Sequence, residues 1–209
     1  MEQKDRIQQK AHDLFMQYGL RSVSMDDIAA SLGMSKKTIY QFFSDKDDLV
    51  DVVVDEELKQ TQQDCMFCKS KSSNAVEELF LTMQQIHDQL QNMNPMVLYD
   101  MQKFHPPAYE KFRKHKNEFL FKMIRNNIER GVKEELYRPE INIDVICKFR
   151  LEAMMIPFNI TVFPPGKYNL ADVTQETMEH FLYGLTTLKG YKLILKYKQQ
   201  RLKHLTHAS

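Results

Sequence analysis

The chain has 209 residues, with 29 Lys and Arg against 28 Asp and Glu, a formal net charge of +1. That balance excludes attachment to a polyanion by bulk charge, so any contact with nucleic acid must rest on local placement of a few groups. An apolar content of 43% is that of a folded chain, six glycines are few, and the frequent Gln, Lys, Glu, Leu and Met favour helix; an all-α protein is expected, with one small and one larger domain or a single helical body.

Met1 to Gly19 forms the first predicted helix. Ile7, Ala11, Leu14, Phe15 and Tyr18 make one apolar stripe at helical period, and Gly19 stops it. Ser24 then caps a second helix over Asp26 to Leu32, whose early aspartates suit the positive end of the helix dipole. Gly33 supplies the left-handed turn, and Ser35 caps a third helix, Lys36 to Phe43. Helix, glycine turn and capped helix make the helix-turn-helix layout, in which the second helix of the pair enters the DNA major groove. Ile39 and Phe43 point inward, which leaves Lys36, Lys37, Thr38, Tyr40 and Gln41 facing out. Lysine can read guanine, glutamine adenine, and a threonine methyl the thymine methyl. Residues 1–50 hold seven basic residues (Lys4, Arg6, Lys10, Arg21, Lys36, Lys37, Lys46) against eight acidic ones, so these few contacts must be well placed.

These residues carry a family resemblance. Ala11, Leu14, Phe15 and Gly19, then Ser24, Met25, Ile28, Ala29, Gly33, Met34, Ser35, Lys36, Thr38, Ile39, Tyr40 and Phe43, then Lys46, Asp47, Asp48 and Leu49 follow the pattern of the TetR family of transcriptional regulators. The match covers about the first quarter of the chain. It implies a DNA-binding domain over residues 1–46, a helical ligand-binding and dimerisation domain over 47–209, and about nine helices in all. With the outward face of the third helix, this places Ser24, Ser35, Lys36, Lys37, Thr38, Tyr40, Gln41 and Lys46 at the DNA, the resemblance assigning Lys46 to a phosphate. Lys37 and Phe42 depart from the pattern, where a small residue and a tyrosine are common; one adds a contact, the other removes a hydroxyl.

Asp45 to Lys69 is a long fourth helix in prospect, whose N–H groups and Lys46 suit a phosphate clamp. Cys65 and Cys68 lie within it as C-x-x-C. Zinc would need further ligands, and the other cysteine, Cys147, is distant, so no metal is expected; the pair reads as small apolar residues on adjacent turns or as a thiol switch. Helices are then expected over Ala75–Asn92, Pro95–Phe104, Ala108–Arg130 (ended or loosened by Gly131), Ile143–Met155 with Val145, Ile146, Phe149, Ala153 and Met154 inward, and from about Leu170 unbroken to Gln200. Gly184 and Gly190 in the last suggest close approach of another helix.

No paired carboxylates, nucleophile–base set, phosphate loop or metal-ligand spacing stands out, so neither enzyme activity nor a cofactor is expected. The polar N-terminus and the lack of an apolar run near ~20 residues point to a cytoplasmic protein without membrane contact. Two tasks are left for the larger domain. The resemblance implies a homodimer and a pocket for an apolar or amphipathic effector; Phe149, Phe181, Gly184, Leu185 and Leu188, on the last long helices, are the residues expected at the interface. Met83, Ile86, Leu90, Met101, Phe104, Tyr109, Phe112, Phe119, Met123, Met154 and Phe158 suit such a pocket, and suit a plain core equally. The expectation is thus a ligand-responsive repressor on a palindromic operator; the alternative is a thiol-redox regulator switched by Cys65 and Cys68.

Overall fold

In the computed structural model, which describes residues 2–207, the N-terminal head is built from its caps outward. Met1, placed above in the first helix, lies outside the described residues, as do 208 and 209 at the end of the larger domain. Helix α1 (Gln3–Tyr18) opens on a capping box between Glu2 and Asp5 and ends at Gly19, whose φ of 87° few other residues tolerate. Helix α2 (Met25–Leu32) has a second capping box, Ser24 with Asp27, and ends on Gly33 in the left-handed region. Helix α3 (Lys36–Ile39) is shorter than expected; the N–H groups of Phe42 and Phe43 both fold back onto the Ile39 carbonyl, so the segment continues as tight turns.

Helix α4 (Lys46–Lys71) leaves the head and packs in turn against the helices that follow it. Its first half buries Leu49, Val50, Val53 and Val54 against Ile7, Phe15, Ile28, Ile39 and Phe43. This cluster also takes Val97, Met101 and Ala108 from helices α6 (Val97–Phe104) and α7 (Pro106–His115), so the head's core extends into the chain beyond residue 46. A second cluster fills the body, where α5 (Ala75–Leu90), α8 (Phe121–Lys133), α9 (Ile143–Ala153), α10 (Leu170–Leu185) and α11 (Leu188–His207) pack around Val76, Met83, Ile128, Tyr137, Leu182 and Leu185. The organisation is all-helical, as composition predicts. Among the described residues no helix is long and apolar enough to cross a membrane.

Three elements differ from expectation. The helix predicted from Ala108 holds a π-helical turn, Lys116–Leu120, between α7 and α8, and it runs past Gly131 to Lys133. Gly131 is needed for another reason: a methyl group there would overlap the buried ring of Tyr137, whose hydroxyl donates to the Ala75 carbonyl. The last helix divides at residues 186 and 187. There the 136–138 segment takes the backbone hydrogen bonds: Arg138 N–H donates to the Leu185 carbonyl at 2.9 Å and Thr187 N–H to that of Leu136 at 2.9 Å. Gly190 faces this same segment at the Leu136 carbonyl, whereas Gly184 faces open space. Finally, α9 is rotated. It buries Cys147, Arg150, Leu151 and Ala153, and Val145 and Phe149 are more than half exposed.

Candidate nucleic-acid interface and internal cavity

Of the eight residues expected to meet DNA, Ser24 caps α2, Ser35 caps α3, Lys36, Lys37 and Thr38 lie on α3, Tyr40 and Gln41 follow in the turn after it, and Lys46 opens α4. The Ser35 hydroxyl accepts from the Thr38 N–H at 3.2 Å, and Ser24 does the same for Asp27. The Ser24 hydrogen bonds hold the Asp27 carboxyl below its ordinary pKa. Both serine hydroxyls are therefore engaged in capping. Lys36 donates to Asp26 at 2.8 Å, which raises its pKa, and it lies over the Tyr40 ring. Lys37, Tyr40 and Gln41 are exposed on one side of the segment, with Ile39 and Phe43 fully buried beneath.

Lys46 does not take the position of a phosphate clamp. Its ammonium donates to the Leu20 carbonyl beside the Phe15 ring, half-buried, and burial pushes its pKa down. The side chain braces the start of α4 against the turn after α1. Arg21 is likewise held, through its N–H on the Asp100 carboxylate at 2.9 Å and its guanidinium over Phe104.

Polar contacts fix the head to the body along α4. His105 at the α6–α7 junction pairs with Asp47, and Lys111 on α7 donates to Asp51 at 2.6 Å and to Asp55 at 2.7 Å. His12 on α1 meets Glu57 at 2.9 Å, and this hydrogen bond raises the His12 pKa despite its partial burial.

Between the two hydrophobic clusters lies a cavity of about 540 Å³, within the range of small-molecule sites. It is bounded by the end of α1, by α4 from Val54 to Cys68, by α5, α6 and α7, by the π-turn, and by α8, α9 and α10. Of the residues expected to line it, Ile86, Leu90, Met101, Phe112, Met123, Met154 and Phe158 do. Four do not. Met83 is packed in the body cluster, Phe104 lies on the surface under Arg21, Tyr109 packs on Phe112 in the head cluster, and Phe119 stacks on His115 with ring centroids 5.0 Å apart. His115, Lys116, Arg150 and both α4 cysteines were not expected there and do line it. The signal for Arg150 was available: it falls three residues after Cys147 and three before Ala153, on the inward stripe of α9.

Burial raises the Cys65 thiol to about 11, and Cys68, buried too, is also raised. Thiols so placed hold little of the reactive thiolate at neutral pH, and nothing in their surroundings favours a redox switch. Of the residues expected between two copies of the chain, Phe149, Gly184 and Leu188 are exposed, Leu188 to 83%. Phe181 and Leu185 belong instead to the body core, Phe181 stacking beneath Phe149 at 6.4 Å between centroids.

A capped helix-turn-helix head joined by one long helix to a hollow helical body is the architecture of a DNA-binding transcriptional regulator. Residues 7–53 match the family described as bacterial regulatory proteins, tetR family. An uncharacterized HTH-type transcriptional regulator of Bacillus subtilis, YvaF, is 33% identical over 107 residues, covering 50% of this chain and 55% of that relative. The chain thus matches about half the length of this relative. Two solved structures share the fold over 88% of this chain and 97% of theirs. One is a TetR-family regulator from Agrobacterium tumefaciens, with a TM-score of 0.74 at 17% identity. The other is a transcriptional regulator from Saccharomonospora viridis in complex with choline, with a TM-score of 0.69 at 18% identity.

Proposed function

We propose that the chain is a ligand-responsive repressor that binds a palindromic operator as a homodimer. One observation carries the proposal: α4 begins against the DNA-facing segment and ends as a wall of the cavity, so the state of one is mechanically tied to the other. The head of residues 1–46 reads DNA, and the remainder, 47–209, senses and dimerises. Lys37 and Gln41 meet base edges and Tyr40 a phosphate, since all three are exposed on this segment. Lys46 acts as a brace for α4. The pair is held by the face bearing Phe149, Gly184 and Leu188, with Tyr191 beside it, all exposed. Two heads at the spacing of one DNA turn bind both half-sites. An effector that fits the cavity better when α4 is displaced shifts the population away from that spacing and releases the operator. Choline held by a structure of the same fold supports a small-molecule effector.

Selection of bound sequences from a random pool tests the proposal. A palindromic consensus is expected; recovery of no enriched sequence would overturn it. On the selected site, Lys37→Ala or Gln41→Ala should relax preference at one or two base pairs by ~1–3 kcal/mol, measured by competition with single-base variants. Tyr40→Ala should weaken all sequences alike.

A further inference from the structure

One cation on the cavity wall stands without a hydrogen-bond partner, whereas every acid there has one. Glu57 meets His12 at 2.9 Å, Asp64 accepts from Gln60 at 2.9 Å and Gln89 at 2.8 Å, and Glu78 pairs with Arg130 at 3.0 Å. Lys116 is matched by Glu152 at 2.9 Å. Arg150 is not matched. It is 5% exposed, its Nη1 is buried without a hydrogen-bond partner, and the group it faces is the ring of Phe181 at 5.4 Å. Burial brings its pKa down to about 10, which still leaves it protonated at neutral pH.

A second polar atom is stranded beside the same space. His115 is 7% exposed, and its Nε2 has no partner. Its Nδ1 lies 3.4 Å from the side-chain nitrogen of Gln62. An amide nitrogen there donates to Nδ1, which leaves the ring proton on Nε2. Burial lowers the His115 pKa, so the ring is neutral and Nε2–H is a donor without an acceptor. His115 immediately precedes the π-turn, and single π-turns inside helices are frequent at functional sites. The cavity therefore presents a bare guanidinium and a bare N–H among Ile86, Leu90, Met123 and Met154, with no acceptor for either. A buried charge without a counter-charge is costly, and a bound anion would remove that cost.

Resting on the ligand-responsive reading above, we infer that the cavity takes an amphiphile with a single carboxylate head, received by Arg150 with His115 as second donor, and an apolar body lying along Ile86, Leu90, Met123 and Met154. One guanidinium compensates one negative charge, and its planar fork matches a carboxylate. A phosphate or diphosphate would bring more charge than Arg150 can match, into walls that also carry Glu57, Asp64 and Glu78.

The test uses the full chain at pH 7.5 and calorimetric titration with decanoate, decanol and decylamine. Decanoate should bind about 10-fold or more tighter than decanol, the gain expected of a charge-assisted hydrogen bond pair, and decylamine should bind more weakly than either. In Arg150→Met the preference for decanoate over decanol should disappear while decanol affinity stays within about 2-fold; Arg150→Lys should keep part of the preference. Equal binding of decanoate and decanol to the unaltered chain would overturn the inference. So would a preference that survives Arg150→Met, or no binding of any of the three. The operator selection is independent of this result. A chain that selects a palindrome but ignores carboxylates loses only this inference, whereas one that binds decanoate without any change in operator affinity loses the ligand-responsive reading.

Discussion

In the head, Ile7, Ala11, Phe15, Ile28, Ile39 and Leu49 are wholly or almost wholly buried and none borders the cavity. In the body, Met83, Ile128, Leu182 and Leu185 are packed as tightly, but Leu79, Ile86 and Ile124 on the same helices turn partly buried faces toward empty space. The difference follows from what each region has to hold. The head fixes a short helix whose contacts depend on position, and close packing gives it one arrangement. The body gives up part of its own burial to a void large enough for a small molecule.

The sharpest way to break this contrast is to remove volume from each side. Phe15→Ala should cost about 3–5 kcal/mol, because it opens a hole in a closed core. Met123→Ala, on the cavity wall, should cost no more than about 2 kcal/mol. Urea unfolding midpoints measure both, and equal losses would mean that the cavity is collapsed in solution. Two glycines give a smaller contrast. Gly131→Ala drives a methyl into Tyr137 and should cost about 1–3 kcal/mol, while Gly184→Ala, into open space, should stabilise the folded chain by about 0.5–1 kcal/mol. If Gly184→Ala instead shifts the chain to monomer in sedimentation, that face is packed closely against a second copy. The smallest effect is one of pH. The His12 pKa is raised above 6.5 in the folded chain by Glu57, so the stability this pair contributes is fully present below pH 6.5 and is lost as pH rises through the folded value. His12→Gln should therefore lower the urea midpoint at pH 6 and leave it close to unchanged well above neutrality. A deficit independent of pH would show that the side chain acts by packing alone.

The head was legible from sequence because its instructions are local: Ser24, Gly33 and Ser35 each act on residues within one turn of themselves. The body was less so. The division between α10 and α11 is made by hydrogen bonds from the 136–138 segment, some fifty residues away, although Thr187, which accepts from the Gly190 N–H, is a cap that could be read locally. Val145 and Phe149 are as apolar as core residues, and their stripe competes with the true inward stripe of α9 one residue round. A π-turn adds a residue to a turn without changing composition, so Lys116–Leu120 has no mark in the sequence. Arg150 could be placed on the inward stripe by its spacing from Cys147 and Ala153, but nothing local states that it has no partner there. Lys46 matches the family pattern in place, yet its amine turns to Leu20, a direction that residue type alone does not state.

Asp47, Asp51 and Asp55 recur every four residues on α4 and are met by His105 and Lys111 from the neighbouring helices. They span about 12 Å of the helix on a single line. Sliding α4 or turning it about its own axis would unmake all three pairs together, whereas moving α4 and α7 as one piece unmakes none. The joint thus behaves as a latch with one seat. On the proposed ligand-responsive reading, a push from the cavity would reach the head as a swing of the two helices in company.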